Sequence, residues 1–213
     1  MNMLAGSPKG SALIAASSRG HKLIVELLLE WGADVNLLLH DSEGYGSALI
    51  AASRMDHKPT VEILLEWGAD VNLHGGIHCG SALIVASYCG NESIVGMLLS
   101  QGANVNFCDE YHESALIKAA SNGNKDIVEM LLQSGADVNI QGEKLGSALY
   151  AAANSEFYDT GTVQLLLAHG AKYLGPIDDN SCLRNHYGIA SDDSDSMDSD
   201  TSDSMMQNTD PDD

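Results

Sequence analysis

A short pattern of small and apolar residues recurs along the chain and divides it into similar segments. Gly-Ser-Ala-Leu-Ile begins at Gly10, Gly46 and Gly80, and variants of it begin at Glu113 and Gly146. The starts recur at a nearly constant spacing, and we call the segments repeats one to five. Repeats one and two are identical at most positions from the serine to a closing asparagine. Identity at that level and at a fixed period indicates duplication of one structural unit.

The polar and apolar positions within a repeat predict two helices. In repeat one, Ser11 stands where a helix N-cap is expected, and residues 12–18 predict a short helix of small side chains. Gly20 should end that helix with a positive φ. Residues 23–31 predict a second helix that is apolar nearly all round, so we expect it to be buried between its neighbours, and Gly32 should end it.

Two substitutions in repeat two agree with this scheme. Pro59 replaces Leu23, and proline is well tolerated at a first helical position. Asp56 replaces Gly20, and aspartate is one of the few other residues that adopt a left-handed conformation. Both changes therefore keep the predicted boundaries.

These residues resemble the ankyrin repeat, a unit of about 33 residues that contains a turn and two helices. The segment Ser11-Ala12-Leu13-Ile14-Ala15-Ala16 falls on the family's Thr-Pro-Leu-His-x-Ala signature, and Gly20-His21 falls on its Gly-His. Gly32 to Asn36 falls on the closing Gly-Ala-Asp-Val-Asn. The resemblance covers about residues 10–171. It implies an all-α ankyrin-repeat solenoid with β-turn or hairpin loops over residues 10–176, after a leader at 1–9.

The sequence departs from the family's pattern at the signature histidine, which is isoleucine in four repeats and Tyr150 in repeat five. The hydrogen bonds of that histidine are then lost or changed, and we expect apolar packing to compensate. The variant is similar to ankyrin arrays of filamentous fungi, often found at the C-terminal end of large signalling proteins of the nucleotide-binding receptor type. A full-strength repeat begins at Gly10 with no polar cap before it, so either the chain is a fragment of a longer array, which we favour, or the first repeat is exposed and frays. The degenerate closing of repeat five, Gly170-Ala171-Lys172, is typical of a terminal repeat.

The resemblance implies a non-enzymatic module that binds a protein partner through its loop tips and the concave face of its first helices. The tips are residues 37–46, 73–80, 107–113 and 140–146. The candidate partner-binding residues at or beside these positions are Leu38, His40, Tyr45, His78, Tyr88, Tyr111, His112 and Lys144. Tyrosine is a frequent interface anchor, although a few aromatic residues occur on any surface. Residues 37–39 are all leucine, and they either contact a partner or fold back onto the neighbouring helices.

Other chemistry finds little support in the sequence. A zinc site built from histidines and cysteines such as Cys79 and His112 is not expected, because equivalent positions of stacked helical units lie roughly 8–10 Å apart. The recurrent serines are read as helix caps, and no nucleophile, nucleotide or dinucleotide motif is present. We therefore predict no catalytic residue, metal or cofactor. His21 and His57 are expected to be structural, Trp31 and Trp67 to serve packing, and the closing asparagines to bond within turns.

Charge separates the body from a tail. The chain of 213 residues carries a formal charge of -20, and residues 191–213 hold 9 Asp, 6 Ser and no basic residue. The rest of the chain, residues 1–190, is what we call the body. It holds the other 21 acidic side chains and every basic one, which gives it a formal charge of -11. We expect residues 177–213 to be disordered, because so polar a segment cannot offset its own chain entropy. Ser191, Ser194, Ser199 and Ser202 suit acidophilic kinases, although the tail could equally serve solubility alone.

The same charge limits the partners. An acidic surface does not neutralise phosphates, so nucleic-acid binding is not expected. The apolar runs are short, no basic-then-apolar signal begins the chain, and the four cysteines show no paired spacing. These features predict an intracellular protein, cytoplasmic or nuclear, with no membrane span, and we favour a monomer.

The acidic body should repel the acidic tail, so the tail is not expected to dock on the body. A basic external partner is therefore favoured. The alternatives are a sensor fragment of a receptor-like nucleotide-binding protein and an inhibitor of a basic protein.

Overall fold

The structure is a computed structural model that describes residues 8–39, 46–75 and 80–177. Within these ranges the chain forms helices in consecutive pairs, one pair to each repeat, with one short hairpin. The first helices are α1 (Pro8–Ser18), α3 (Ala48–Arg54), α5 (Ala82–Cys89), α7 (Ala115–Ser121) and α9 (Ala148–Ala153). The second helices are α2 (Lys22–Glu30), α4 (Lys58–Glu66), α6 (Glu92–Ser100), α8 (Lys125–Gln133) and α10 (Thr160–Ala168).

The helices stack in two rows, which makes the described part of the chain an all-α solenoid. Each first helix packs against the first helix of the next repeat and against its own second helix, and the second helices form the other row. Strands β1 (Gln141–Gly142) and β2 (Gly146–Ser147) pair antiparallel in the loop before α9. The two preceding loops place single bridges at similar positions, between His74 and Ser81 and between Cys108 and Ser114. The predicted fold class is confirmed. No helix in the described ranges has the length and apolar character that crossing a membrane requires.

The recurrent serine caps the first helix in repeats two to five. The hydroxyls of Ser47, Ser81, Ser114 and Ser147 each accept a hydrogen bond from the backbone N–H three residues on, at 3.3 to 3.4 Å. The prediction was wrong for Ser11. It lies inside α1, which begins three residues earlier at Pro8, because proline has no N–H to satisfy and is favoured at the start of a helix.

Burial along the second helix depends on whether a neighbouring repeat is present. The third helical position is half-exposed in α2, where Ile24 is 49% exposed, and buried in α4, where Thr60 is 1% exposed. The sixth position behaves in the same way, with Leu27 at 43% and Ile63 at 5%. The expectation that residues 23–31 would be buried all round was therefore wrong: Thr60 and Ile63 belong to a helix with described second helices on both sides, whereas α2 has one on a single side.

The two tryptophans follow the second helices of repeats one and two. Trp31 and Trp67 follow the last turns of α2 and α4 as their C-caps, and both side chains are exposed. A residue just beyond the end of a helix lies outside the packed rows, so these side chains do not belong to the core. The neighbouring glycines behave as predicted, since Gly32 has a φ of 77°.

Side-chain hydrogen bonds link the repeats along two edges of the solenoid. Each closing asparagine donates a hydrogen bond to a glycine carbonyl of the next repeat and accepts one from a backbone N–H of that repeat. The four residues are Asn36, Asn72, Asn106 and Asn139. They bond between repeats, whereas the sequence suggested bonding within turns. On the other edge, His57 Nε2 lies 3.1 Å from the Ser18 carbonyl oxygen. At the matching position of the next two repeats, Asn91 and Asn124 donate to the carbonyls of Ser53 and Ser87. The structural role predicted for His57 is confirmed.

The described residues end within the segment that follows α10. Ser147 N–H donates to the Leu174 carbonyl at 2.8 Å, and Ile177 N–H donates to the Gly142 carbonyl at 3.2 Å. Lys172 N–H still donates to Asn139 at 2.9 Å, so the degenerate closing keeps the bond that links the repeats. Ile177, where the predicted tail begins, is thus tied to the hairpin. Residues 178–213, with the predicted disorder and the four candidate serines, lie outside the described residues.

Candidate partner-binding surface at the loop tips

The loop that enters repeat four is organised around one carboxylate. Asp109 Oδ1 accepts the N–H groups of Tyr111 at 2.9 Å and Glu113 at 3.0 Å. Asp109 N–H donates to the Glu113 carbonyl at 3.1 Å, so the loop closes on itself. His112 lies between these residues with a φ of 55°, in the left-handed region. The hydrogen bonds that the two flanking residues donate to Asp109 keep His112 in this conformation.

A buried charged cluster lies beneath the tip. Lys118 on α7 forms an ion pair with Glu113 and lies 3.6 Å from an Asp109 carboxylate oxygen. The two carboxylates are 2% exposed or less, and the lysine side chain is 19% exposed. The other Glu113 oxygen accepts the Leu145 N–H at 3.0 Å. The Glu113 carboxylate therefore ties together the loop of repeat four, Lys118 on its first helix and the hairpin of repeat five.

Above this cluster four side chains form the outer layer of the tips, which we call the tip surface: Tyr111, His112, Glu143 and Lys144. Lys144 Nζ lies 3.2 Å from the centroid of the Tyr111 ring, a cation–π contact. His112 Nδ1 lies 3.0 Å from Glu143 Oε1. Glu143 N–H donates to the Tyr111 carbonyl at 2.9 Å. Side-chain and backbone contacts thus hold the tips of two adjacent repeats together, while His112 keeps 65% of its side chain in solvent.

The structure gathers three of the predicted binding residues and separates others. Tyr111, His112 and Lys144 meet on the tip surface. Tyr88 is exposed at the end of α5, away from the loop tips. Leu38 is partly buried, and the Cβ that a side chain at Gly75 would carry meets it at 2.7 Å.

The leucine run before repeat two contacts the protein itself. Leu39 packs against the core, and Leu38 lies against the next loop. The structure therefore favours the reading in which these side chains fold back. His40, Tyr45 and His78 lie outside the described residues, and their assignment stays a prediction.

The sequence analysis missed the cluster that supports this surface. Two signals pointed to it. Glu113 replaces the glycine that opens the other repeats, and Lys118 replaces a small or apolar residue, which is Ala51, Val85 or Ala151 elsewhere. Because the two changes occur in one repeat, five residues apart, they could have been read as a compensating pair.

The cysteine and histidine residues that the structure describes do not assemble into a metal centre, and Cys79 lies outside the described residues. Across residues 8–39, 46–75 and 80–177, no three His, Cys, Asp or Glu side chains are placed to hold an ion. Burial raises the pKa of the Cys108 thiol, and the neighbouring Asp109 carboxylate raises it further. Cys108 therefore stays a neutral thiol whose sulfur lies 3.6 Å from the Asn106 carbonyl oxygen.

Comparison with known proteins agrees with this architecture. A search of the curated proteins finds no match to the chain. The family model for ankyrin repeats, described as three copies, matches residues 2–75 and 73–142. Ankyrin repeats are generally protein–protein interaction modules, and the family is typically non-enzymatic. The matched segments cover more than half of the sequence, and the chain belongs to the ankyrin repeat family.

Proposed function

We propose that this chain is a non-enzymatic scaffold or adaptor that binds a protein partner through the tip surface and the adjoining concave face. The observation that carries the proposal is the fixed pairing of Tyr111 with Lys144 and of His112 with Glu143 across two repeats. A surface whose side chains are already ordered loses less conformational entropy when a partner binds. That property suits recognition.

The chemistry of the tip surface also supports protein recognition. Tyrosine gives a large amphipathic contact area and is enriched among residues that dominate binding energy. The surface adds one cation, one carboxylate and one imidazole, which can meet polar groups at the rim of an interface. The buried pairing of Lys118 with Glu113 fixes the loop beneath them.

Further parts of the proposal rest on the sequence pattern. All five helix pairs are proposed to be ankyrin repeats of the variant found in filamentous fungi, and the protein is proposed to act inside the cell. The partner is proposed to be basic, since the described body and the tail are both acidic. Basic side chains on a partner would be attracted over roughly 8 Å at physiological salt.

The experiment is a capture of partners from a lysate of the source cells, followed by binding measurements with the purified partner. Tyr111→Ala and Lys144→Ala should each weaken binding about thirtyfold or more, since truncation of a residue that dominates the binding energy costs at least about 2 kcal/mol. Tyr158→Ala is the matched control, because Tyr158 is an exposed aromatic residue outside the tips. Equal binding by all four proteins would contradict the proposal.

A version that ends at Pro176 separates this proposal from the inhibitor alternative. Recognition by the tip surface predicts that the shortened chain binds as the whole chain does, at low and at physiological salt. A partner that is lost with the tail or with salt would instead make the tail the binding element. The tip variants would then have little effect.

A further inference from the structure

The chain has two tryptophans, and they occupy the same exposed position in adjacent repeats. Trp31 follows α2 and is 63% exposed, and Trp67 follows α4 and is 48% exposed. Tryptophan carries a large apolar area and is enriched among the residues that dominate binding energy. A pair of exposed tryptophans on neighbouring helices therefore marks a surface that can bind a partner.

The exposure of this position does not depend on where the described residues begin or end. Trp67 has a described repeat on either side of it. The matching residues of the later repeats, Gln101, Ser134 and His169, are exposed as well. The position lies just beyond the end of each second helix, outside the two packed rows, so a neighbouring repeat leaves it open to solvent.

The turns that follow the two tryptophans fix how far apart they lie. Asn36 Nδ2 donates at 3.3 Å to the carbonyl of Gly68, the residue directly after Trp67. Asn36 Oδ1 accepts the N–H of Asp70 at 2.7 Å. Helices α2 and α4 also pack against each other, and packed helices lie about 8–10 Å apart. The backbone positions of the two tryptophans are therefore about one helix spacing apart.

Glutamates accompany each tryptophan on the last turns of its helix. We call the set the tryptophan patch: Glu26, Glu30, Trp31, Glu62, Glu66 and Trp67. Residues 26–36 and 62–72 contain no lysine or arginine, and the four glutamates are all at least partly exposed. The patch stops at repeat three, where the matching residues are the uncharged Gly96, Ser100 and Gln101. It is thus a local feature of the first two repeats.

We propose that the tryptophan patch is a second binding surface, which takes an arginine-containing segment of a protein partner. Among aromatic rings, that of tryptophan attracts a cation best, and the planar guanidinium of arginine both stacks on such rings and pairs with carboxylates. The two indoles and four carboxylates supply both kinds of contact. The patch belongs to repeats one and two, whereas the tip surface joins repeats four and five, so this proposal does not depend on the tip surface.

The spacing of the two tryptophans restricts the segment that fits. A polyproline II segment presents every third side chain on one face, with about 9 Å between them, which matches the separation of packed helices. We therefore expect arginines three positions apart to reach both tryptophans at once. Adjacent arginines would reach only one tryptophan and should bind more weakly.

Intrinsic fluorescence tests the proposal directly, because Trp31 and Trp67 are the chain's two tryptophans. The full chain is titrated with a short synthetic peptide whose arginines lie three positions apart, at low and at physiological salt. The emission should change saturably, and the affinity should fall as salt rises, because salt screens the charges. The same peptide with citrulline in place of arginine keeps the shape without the charge, and it should leave the emission unchanged.

Single substitutions locate the site. Trp31→Ala and Trp67→Ala should each weaken peptide binding about two- to fivefold, the loss expected for one exposed cation–π contact, and each variant keeps the other tryptophan as the reporter. Glu66→Gln should also weaken binding. Glu129→Gln is its matched control, because it removes the same charge from an exposed glutamate of repeat four. Tyr111→Ala should bind the peptide as the wild type does.

Three results would overturn the proposal. The first is an emission that does not change, or that changes equally with the citrulline peptide. The second is an equal loss in Glu66→Gln and Glu129→Gln, which would show attraction to the acidic chain in general. The third is a loss in Tyr111→Ala, which would assign the peptide to the tip surface. Capture of a partner by the tip surface succeeds or fails independently of the first two results. Circular dichroism of each variant checks that the helices are retained.

Discussion

The side-chain oxygen of Asn106 accepts a hydrogen bond from the backbone N–H of Asp137 at 2.7 Å, across 31 positions of the chain. The amide nitrogen of Asn106 also donates to the Gly135 carbonyl at 3.3 Å. Asparagine is suited to this position because its amide offers a donor and an acceptor at once. The closing residue of each repeat thereby fixes the closing turn of the next one.

Replacing this asparagine should weaken the stack. Asn106→Ala removes both bonds and should lower the free energy of unfolding by about 1–2 kcal/mol, at about 1 kcal/mol for each bond. Asn139→Ala should cost less, because its corresponding bonds are longer, at 2.9 and 3.5 Å. Urea denaturation followed by circular dichroism measures both. A larger loss at Asn139 would contradict this account.

The N-cap serine of α3 and a buried serine within it should respond differently to the same substitution. Ser47 caps the helix, so Ser47→Ala should cost about 1 kcal/mol. Ser53 is buried between repeats, and its hydroxyl has no hydrogen-bond partner, so Ser53→Ala should be neutral or stabilising. Repeats four and five already carry alanine at that position, as Ala120 and Ala153. Urea midpoints of the two variants give the comparison, and a cost at Ser53 above that at Ser47 would refute it.

The repeat pattern was sufficient to predict the helix pairs and most of their boundaries, with the start of α1 at Pro8 as an exception. Gly20 has the predicted positive φ of 67°, and Asp56 adopts 56° in its place. These outcomes were accessible because φ preference is a local property of the residue. The family resemblance also placed Tyr111 and Lys144 at loop tips, where the structure brings the two side chains together; their role in binding stays a prediction.

Features that depend on a neighbouring repeat were harder to predict. Residues 23–31 read as a buried helix, yet Ile24 and Leu27 are exposed, because one repeat cannot show which of its faces has a neighbour. The contact of Lys144 with Tyr111 joins two loops that enter different repeats. No local pattern specifies such a pair. It depends on how the two loops stack.

The buried lysine of repeat four should matter more than any lysine on the surface. Lys118→Ala leaves the carboxylates of Asp109 and Glu113 buried without their cation, and should lower the free energy of unfolding by about 2–4 kcal/mol. Lys58→Ala is the matched control. Lys58 is an exposed lysine at the start of α4, and its loss should change stability by less than about 0.5 kcal/mol.

A double variant tests whether the lysine and the glutamate act as a compensating pair. Glu113→Gly with Lys118→Ala restores the residue types of repeat two and removes one buried charge of each sign. It should cost clearly less than the sum of the two single substitutions, because each single change already removes the Glu113–Lys118 ion pair, although the Asp109 carboxylate stays buried in the double variant. Additive losses in urea denaturation would show that the two side chains act independently.

The N-cap of the last helix should make stability depend on pH in the acidic range. Asp159 accepts the Thr162 N–H at 2.7 Å, and this bond is the main reason that the pKa of the Asp159 carboxyl is lowered in the folded protein. The Thr162 hydroxyl, the Gly161 N–H and the charge of Lys125 lower the pKa further. A lowered folded pKa contributes stability above the unfolded pKa of the carboxyl, and that contribution is lost as pH falls through the folded value.

Comparing wild type with Asp159→Asn isolates this effect from the many other carboxylates of the chain. Asparagine also caps helices but does not titrate, so the variant should be slightly less stable at neutral pH and equal to wild type at strongly acidic pH. Asp159→Ala should be less stable at both, because it lacks a cap altogether. The measurement is the urea midpoint of each protein from neutral pH down to pH values below the unfolded pKa of aspartate. A wild-type advantage over Asp159→Asn that does not shrink as pH falls would show that the Asp159 charge does not stabilise α10.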